Sequence, residues 1–475
     1  MKRVQSILFA IVVLIGFGAI AQTPPATPVP DIASLESDVV SSAAKLRAAA
    51  DQAEAKASEL QARVEKAEAG WQVTNAALAT AIAERDALAQ SMTGYKSRMD
   101  AQRQIAETVA RVNQEREASA ARHRKAQATP ITVKVGEVIQ TALNKAKPGD
   151  FVRVAPGVYN QGVAVPSGVG LVLYDATLDG KGRTYAITAG HGATIIGGTI
   201  ANWKGVNDRD KSAVRAVGDN VTIDGVIIEK IDGSGFGANV VQAPRLIGCT
   251  IRDTTGSAYL LGGGEQAECF NPVILDCTIE RYNTAKNSVG SGVGVNKKTR
   301  TVNALVAHNL FRDGFGTATW GDILNRDYTY YANGFDNIKH SIEKWDGNGI
   351  YCEMGIGTKS LIAANSFKRM TGAAITIAES GGILVTGNTL DGKYIELRDV
   401  RDQLPNAHKQ RGSYTKYDGP RVFIRAGLRD IAIFDNTLLN GAKDDWISGA
   451  PGKVGANWDG NPAAYLAKNN VVWIK

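Results

Sequence analysis

A short motif recurs along the C-terminal part of the chain, and this internal repeat constrains the fold more than any other feature. Each copy has apolar residues, then a small or polar pair, then a second short apolar run. The eight copies are ATIIGGTIAN (193–202), VTIDGVIIEK (221–230), PRLIGCTIRD (244–253), PVILDCTIER (272–281), ALVAHNLFRD (304–313), SLIAANSFKR (360–369), ILVTGNTLDG (383–392) and IAIFDNTLLN (431–440). Units of this length cannot bury an apolar face alone, so the repeat predicts coils stacked into a β-solenoid.

The aligned copies place small or amide residues in one column of the solenoid. Its members are Gly198, Val226, Cys249, Cys277, Asn309, Asn365, Asn388 and Asn436. An Asn at a corner bonds to the neighbouring backbone and to the next Asn, so the column predicts an amide ladder at a turn. Cys249 and Cys277 are either small buried fillers or a disulfide between stacked coils.

The segment ahead of the repeat is helical in character. Residues 31–128 contain no proline and are rich in Ala, Glu, Gln, Arg and Lys, with coiled-coil spacing of the apolar positions. Two arrangements are open: a long oligomeric stalk, with a trimer favoured, or a hairpin folded at Gly70 or Gly94. Residues 129–475 then form the solenoid, and a short helix near residues 138–146 is expected to cap its open end.

The N-terminus has the features of an export signal. A basic start (Lys2, Arg3) precedes an apolar run and the small residues Ala19 and Ala21, so residues 1–21 are a cleaved signal peptide or a membrane anchor. A stiff Pro-rich linker follows at 22–30. The net charge of +7 is spread over 475 residues, so the dense basic stripe of a nucleic-acid-binding protein is missing. We therefore expect a secreted, periplasmic or cell-surface protein, or a virion-surface protein as the alternative.

Residues 129–475 resemble the right-handed parallel β-helix proteins of the pectate-lyase-like superfamily. The resemblance rests on the repeats, on the opening TVKVGEVIQTALNKAKPGDFVRVAPGVYN and on DNVTIDGVIIEK. It implies a mainly β fold, a right-handed parallel β-helix preceded by a long coiled-coil-like helical segment. This architecture hosts polysaccharide lyases, glycoside hydrolases, adhesins and tailspikes, and no motif specific to one of them is complete. Ca²⁺ is implied by analogy only, and no cofactor is evident.

Candidate site residues come from the strands of the C-terminal coils and from an expected insertion at 312–348. Alternation along strands 349–354, 373–380, 394–399 and 421–427 predicts one exposed strip of carboxylates and arginines beside the aromatic and charged residues of the insertion. The predicted catalytic residues are Glu353, Glu379, Glu396, Arg398 and His340. The predicted substrate-binding residues are Tyr351, Trp345, Lys344, Asp346 and Arg425.

Such a strip has two chemical uses. Two carboxylates can divide the acid and base roles of glycoside hydrolysis, or Arg can neutralise a uronate while a base removes the adjacent proton, as in lyases. The sequence therefore predicts an extracytoplasmic protein that binds a polysaccharide or surface glycan and cleaves it in the enzymatic case. The alternative is a non-catalytic surface or virion fibre, with a glycan-binding head on a coiled-coil stalk.

Overall fold

The structure is a computed structural model, and it describes residues 32–69, 75–128, 130–205, 212–262, 267–288, 296–342, 346–398, 428–448 and 470–474. The chain divides into two compact units, Met1–Tyr95 and Lys96–Lys475. The predicted signal (1–21) and linker (22–30) lie outside the described residues. In the described part of the chain, no helix combines the length and the apolar character needed to span a bilayer.

Two helices make up the described part of the first unit, α1 (Ile32–Ala69) and the beginning of α2 (Asn75–Ala128). Arg63 Nη1 of α1 lies 3.5 Å from Glu84 Oε2 of α2, so the helices run side by side near their connection. α1 ends at Ala69, ahead of Gly70, whereas α2 continues through Gly94. Coiled-coil association with other chains stays a prediction.

The second unit is a parallel β-helix with three long sheets. Each coil visits sheet A, then sheet B, then sheet C, and every pairing within these sheets joins parallel strands of successive coils. Parallel crossover connections within one sheet are right-handed almost without exception. The prediction of a right-handed parallel β-helix is confirmed, and the described residues contain eleven coils with a strand in all three sheets.

The strand bounds follow the sheets. Sheet A contains β1 (Pro130–Val133), β2 (Phe151–Val154), β5 (Gly170–Val172), β8 (Thr194–Ile196), β11 (Thr222–Asp224), β14 (Arg245–Ile247), β18 (Val273–Leu275), β22 (Leu305–Ala307), β25 (Thr329–Tyr331), β28 (Ile356–Ala363), β31 (Gly381–Thr386), β34 (Arg429–Phe434) and β37 (Val471–Ile474). Sheet B contains β3 (Gly157–Tyr159), β6 (Ala176–Asp179), β9 (Thr199–Ala201), β12 (Ile227–Ile231), β15 (Thr250–Thr254), β19 (Thr278–Glu280), β23 (Leu310–Arg312), β26 (Gly334–Asp336), β29 (Ser366–Lys368), β32 (Thr389–Asp391) and β35 (Thr437–Leu439).

Sheet C carries the strands that matter most for the candidate site. It contains β4 (Val163–Val165), β7 (Ile187–Ala189), β10 (Val214–Ala216), β13 (Phe236–Asn239), β16 (Tyr259–Gly262), β20 (Lys297–Thr299), β24 (Thr319–Asp322), β27 (Ile350–Glu353), β30 (Ile375–Ala378), β33 (Tyr394–Arg398) and β36 (Lys443–Ser448). A small extra sheet pairs β17 (Cys269–Phe270) with β21 (Thr301–Val302). The short helix α3 (Ile139–Lys145) buries Ile139 and Leu143 against the first strands.

The corner between sheets A and B carries the predicted amide ladder. Asn309, Asn333, Asn365 and Asn388 each donate from Nδ2 to Oδ1 of the next Asn at 2.9–3.0 Å, and the ladder ends at Asn436. The sequence alignment omitted Asn333, because its coil has aromatic residues where the other copies have aliphatic ones. In the earlier coils Cys249 and Cys277 occupy this column as buried free thiols, so the structure does not contain the alternative disulfide.

The segment 312–348 is not the insertion that the sequence predicted. It contains a complete coil, with Trp320 in β24, Tyr330 in β25 and Phe335 in β26. Tyr330 and Phe335 are buried inside the solenoid, and the Phe335 ring stacks between Phe311 (5.1 Å) and Phe367 (4.8 Å). Tyr330 and Phe335 therefore belong to the core of the β-helix and do not form the wall of a groove.

The C-terminal part of α2, residues 96–128, packs on the outer face of sheet A. Val112 is buried among apolar residues of β14, β18 and β22, while Ala126 contacts the first coils and Ala101 the last ones. Ion pairs flank these contacts, including Arg116 with Asp276 at 2.7 Å. The compact unit that contains the β-helix therefore begins at Lys96, ahead of the boundary expected at 129.

Candidate functional site

The strongest concentration of polar and aromatic residues lies on the outer face of sheet C. The strand register places Lys297, Trp320, Tyr351, Thr376 and Glu396 in one column across five neighbouring coils. Two residues further along each strand, a second column contains Thr299, Asp322, Glu353, Ala378 and Arg398. The positions between the two columns point into the solenoid, as alternation in a strand requires.

The centre of this surface is an aromatic pair. The rings of Trp320 and Tyr351 stack with centroids 5.0 Å apart, and Lys297 Nζ lies 4.1 Å from the Trp320 centroid. Lys297 also pairs with Asp322 at 2.7 Å. Stacked rings beside charged groups are suited to binding sugars, because the ring faces contact apolar C–H surfaces while the charged groups bond to hydroxyls.

A second charged group lies beside the aromatic pair. Arg398 Nη2 is 2.9 Å from Glu396 Oε1, and Glu396 Oε2 accepts a hydrogen bond from Thr376 at 3.0 Å. The Arg398 guanidinium carbon lies 6.0 Å from the Tyr351 ring centroid. Burial raises the pKa of Tyr351, and the negative charge of Glu353 raises it further. Tyr351 therefore keeps its proton at neutral pH and can donate a hydrogen bond, so it is not poised to act as a phenolate base.

The structure brings Tyr351, Glu353, Glu396 and Arg398 together, as predicted. Two of these side chains are much less exposed than the sequence predicted. Tyr351 is only 3% exposed and Glu396 5%, although both point away from the solenoid interior. Tyr351 stacks on the Trp320 ring, and Glu396 contacts Arg398 and Thr376. Glu353 and Arg398 are partly exposed, so solvent reaches the site at these two residues.

Glu379 is placed at the edge of this group. It follows β30 with a left-handed backbone (φ 45°), the conformation that Met354 adopts after β27 (φ 49°). Its amide nitrogen donates to Arg398 O at 3.2 Å, and its side chain is buried. The predicted outward, exposed carboxylate is therefore a buried carboxylate at the turn that ends the strand.

His340 and Asp346 lie apart from the carboxylates. His340 Nδ1 is 3.3 Å from Asp346 Oδ1 ahead of β27, whereas Glu353 is the last residue of that strand. Burial raises the pKa of Asp346, although hydrogen bonds from Ser341 oppose this shift. The pair holds the turn between sheets B and C. Three other predicted residues, Lys344, Trp345 and Arg425, lie outside the described residues.

Asp322 is the functional candidate that the sequence reasoning missed. It follows Gly321, whose register partner is Cys352, so it is the neighbour of Glu353 in the adjacent coil. Asp322 is buried, and its Oδ1 has no hydrogen-bond partner among the described residues. In the sequence, Trp-Gly-Asp at 320–322 corresponds to Tyr-Cys-Glu at 351–353 in the next coil. This correspondence can be recognised only when residues 319–322 are identified as the strand β24.

Among the described residues, no group of three or more His, Cys, Asp or Glu side chains is arranged to hold a metal ion. The carboxylates of Asp322 and Glu396 instead form ion pairs with Lys297 and Arg398. The described residues thus give no support to a calcium site on this surface.

Comparison with known proteins finds similarity in structure only. No protein-family model and no curated protein sequence matches the chain. A structure of XylC with xylose has 10% identity and a TM-score of 0.44, and the match covers 67% of this chain and 86% of that one. The A-module of the Azotobacter vinelandii mannuronan C-5 epimerase AlgE4 has 12% identity and a TM-score of 0.35, with coverages of 66% and 95%. Tailspike protein 3 of bacteriophage CBA120 has 10% identity and a TM-score of 0.35, with coverages of 67% and 60%. At these identities and TM-scores, the similarity carries no conclusion about activity.

Proposed function

We propose that this protein binds a polysaccharide on the outer face of sheet C and hydrolyses its glycosidic bonds. The observation that carries the proposal is the pair of carboxylates Asp322 and Glu353 on neighbouring strands, beside the stacked rings of Trp320 and Tyr351. Trp320, Tyr351 and Asp322 are largely buried, so a sugar reaches this group at Glu353, which is partly exposed.

The spacing of the two strands that carry the carboxylates favours hydrolysis with retention. Neighbouring parallel strands lie about 4.8 Å apart, and retaining enzymes hold their two carboxyl groups about 5–5.5 Å apart. One group, as the carboxylate, attacks the anomeric carbon while the other, as the carboxylic acid, protonates the leaving oxygen. The second group, now a carboxylate, takes a proton from water, and that water breaks the glycosyl–enzyme bond and releases the sugar. A lyase would need an unprotonated base beside an unpaired arginine. Tyr351 keeps its proton and so is not such a base, and Arg398 is paired with Glu396.

The test is a panel of acidic and neutral polysaccharides, assayed for new reducing ends and for ultraviolet absorbance. We expect reducing ends without absorbance, and a loss of at least about 100-fold in rate for Asp322→Asn and for Glu353→Gln. Asp336→Asn is the matched control, because Asp336 is an ion-paired carboxylate on sheet B; it should keep full activity. Full activity in Glu353→Gln, or no product from any glycan, would overturn the hydrolase proposal.

A second candidate is a non-catalytic surface or virion fibre. Ile82 and Met92 are 40% and 47% exposed on α2 in the first unit, and apolar side chains on a helix surface favour association with further copies. In this case the sheet C surface binds a glycan without cleaving it. Retained glycan binding in both Asp322→Asn and Glu353→Gln, with no product from the wild type, would favour the fibre.

The location proposed for either function is outside the cytoplasm. It is supported by the basic and apolar pattern of residues 1–21. Sequencing the N-terminus of the mature protein tests it: a chain that begins at Gln22 would identify a cleaved signal, and a retained Met1 would identify an anchor or no export.

A further inference from the structure

A lysine lies inside the solenoid, directly behind the surface proposed for hydrolysis. This residue, Lys298, follows Lys297 in β20, and its register partner in the next coil is Gly321, the residue ahead of Asp322. Alternate residues of a strand point to opposite faces, so Lys298 extends inward where Lys297 and Asp322 extend outward. The sheet separates the Lys298 amine from the carboxylates of Asp322 and Glu353 by a distance on the order of 10 Å.

The lysine interrupts an apolar column of the solenoid interior. The same position is occupied by Leu261 in the preceding coil and by Ile377 and Leu397 in later coils. Burying an amine in place of an aliphatic side chain costs stability. A departure of this kind from the local rule is expected at functional sites.

The contacts of Lys298 leave its charge without a counter-charge. The side chain is 1% exposed, and Nζ donates to Thr319 Oγ1 at 2.6 Å. Nζ also lies 5.7 Å from the Tyr259 ring centroid and 5.0 Å from the Tyr330 ring centroid. Hydroxyl groups and aromatic rings can accommodate an ammonium group, but within the described part of the chain no carboxylate forms an ion pair with it.

The titratable groups that face Lys298 stay neutral around neutral pH. They are Tyr259 of β16, Tyr330 of β25 and Cys352 of β27, with Tyr328 bonded to Cys352. Burial raises the pKa of the three tyrosines, and it raises the pKa of the Cys352 thiol to about 12. Burial lowers the pKa of Lys298 to about 7. The positive charge behind the surface is therefore present below neutral pH and absent above it.

We propose that Lys298 regulates hydrolysis on sheet C in response to pH, because its charged form slows the reaction and its neutral form does not. This inference rests on the proposed function. The transition state of glycoside hydrolysis carries positive charge on the sugar ring, and a cation behind the sheet opposes the development of that charge. Across about 10 Å at an effective dielectric constant of about 20, this repulsion is strong enough to slow the reaction by a factor on the order of ten.

The experiment measures the release of reducing ends by the full chain between pH 5.5 and pH 9, with xylan, dextran, laminarin, chitosan, pectate and alginate as substrates. The rate of each variant is divided by the wild-type rate at the same pH, so that titration of groups elsewhere cancels. Lys298→Met carries no charge at any pH. It should match the wild type at pH 9 and be about three- to tenfold faster at pH 5.5.

A second variant tests the opposite state. Lys298→Arg keeps its charge throughout this range. It should match the wild type at pH 5.5 and be about three- to tenfold slower at pH 9. Lys368→Met is the matched control, because Lys368 lies on sheet B and pairs with Asp336 at 3.4 Å. It should follow the wild type at every pH, and circular dichroism at each pH should show that the proteins compared are folded.

The outcomes separate this regulation from the proposed function. Hydrolysis with a constant ratio of Lys298→Met to wild type across the pH range would overturn the regulation and leave the proposed function standing. The same pH-dependent ratio in Lys368→Met would also overturn it. If the buried arginine prevents folding, the ratio for Lys298→Met decides alone. No reducing ends from any of the six polysaccharides would refute the proposed function, and the regulation with it.

Discussion

Lys298 is the most unusual single residue in the β-helix, because it points into the solenoid. Its Nζ donates to Thr319 Oγ1 at 2.6 Å and lies 5.0 Å from the Tyr330 ring centroid, with no carboxylate in an ion pair with it among the described residues. Burial lowers the pKa of Lys298 to about 7 from its ordinary value of 10.5. Near neutral pH the folded protein therefore holds much of this side chain as the uncharged amine.

This shift predicts a stability that increases with pH. The unfolded chain keeps the Lys298 proton up to about pH 10.5 and the folded protein releases it near pH 7, so unfolding takes up a proton between these values and raising the pH favours the folded state. The test compares the free energies of unfolding of the wild type and of Lys298→Met. Their difference, wild type minus variant, should rise by about 1.4 kcal/mol per pH unit between pH 7.5 and 9.5. Urea unfolding across this range measures it, and parallel pH curves for the two proteins would contradict it.

The amide ladder makes a second prediction about single residues. Asn388 accepts a hydrogen bond from Asn365 and donates to Ile362 O at 2.9 Å and to Asn436 at 2.9 Å, all in a buried corner. Asn388→Ala leaves several buried groups without partners and should lower the free energy of unfolding by about 3 kcal/mol. Asn436→Ala, at the partly exposed end of the ladder, should cost about 1 kcal/mol, because water replaces the lost bonds. Equal losses in urea unfolding would show that the ladder is not the source of stability.

Among the elements, the C-terminal part of α2 depends on a narrow apolar contact with sheet A. Val112 is buried between α2 and the sheet, while Val109, one turn earlier, is 38% exposed. Val112→Asp would bury an unpaired carboxylate and should weaken docking of this segment by about 3–5 kcal/mol. Hydrogen exchange should then accelerate in residues 96–128 while the strands of sheet B stay protected. Val109→Asp is the matched control and should leave exchange unchanged, and similar effects of both changes would contradict this account of docking.

Comparison of sequence and structure, element by element, shows why some features were predictable. The coils were predictable because short aliphatic runs such as those of β18 and β31 recur along the chain. The coil containing Tyr330 was missed because aromatic residues fill its interior positions. Pairing of Trp320 with Tyr351 could not be predicted, because it depends on the register between strands 31 residues apart. The packing of α2 was also missed, since small or polar residues such as Ala101 and Gln104 make up much of its contact face.

At the scale of the whole molecule, exposed apolar residues on α2 predict that several chains assemble. Ile82 and Met92 expose large apolar surfaces on α2 in the first unit. Apolar residues exposed on a helix stabilise coiled coils when chains associate, and the trimer is the assembly favoured from the sequence. Sedimentation of the full-length protein should therefore give three times the chain mass, and the double variant Ile82→Glu/Met92→Glu should sediment as a monomer.

The control for the assembly test reverses the charge of two exposed lysines and leaves the apolar residues unchanged. Lys45 and Lys56 are exposed on α1, so Lys45→Glu/Lys56→Glu introduces two acidic residues while leaving Ile82 and Met92 in place. This variant should remain a trimer, because association depends on burial of apolar area rather than on net charge. A monomeric wild type would contradict the stalk and remove the main support for a fibre. It would leave intact the hydrolase proposal, which requires only the coils of a single chain that carry Asp322 and Glu353.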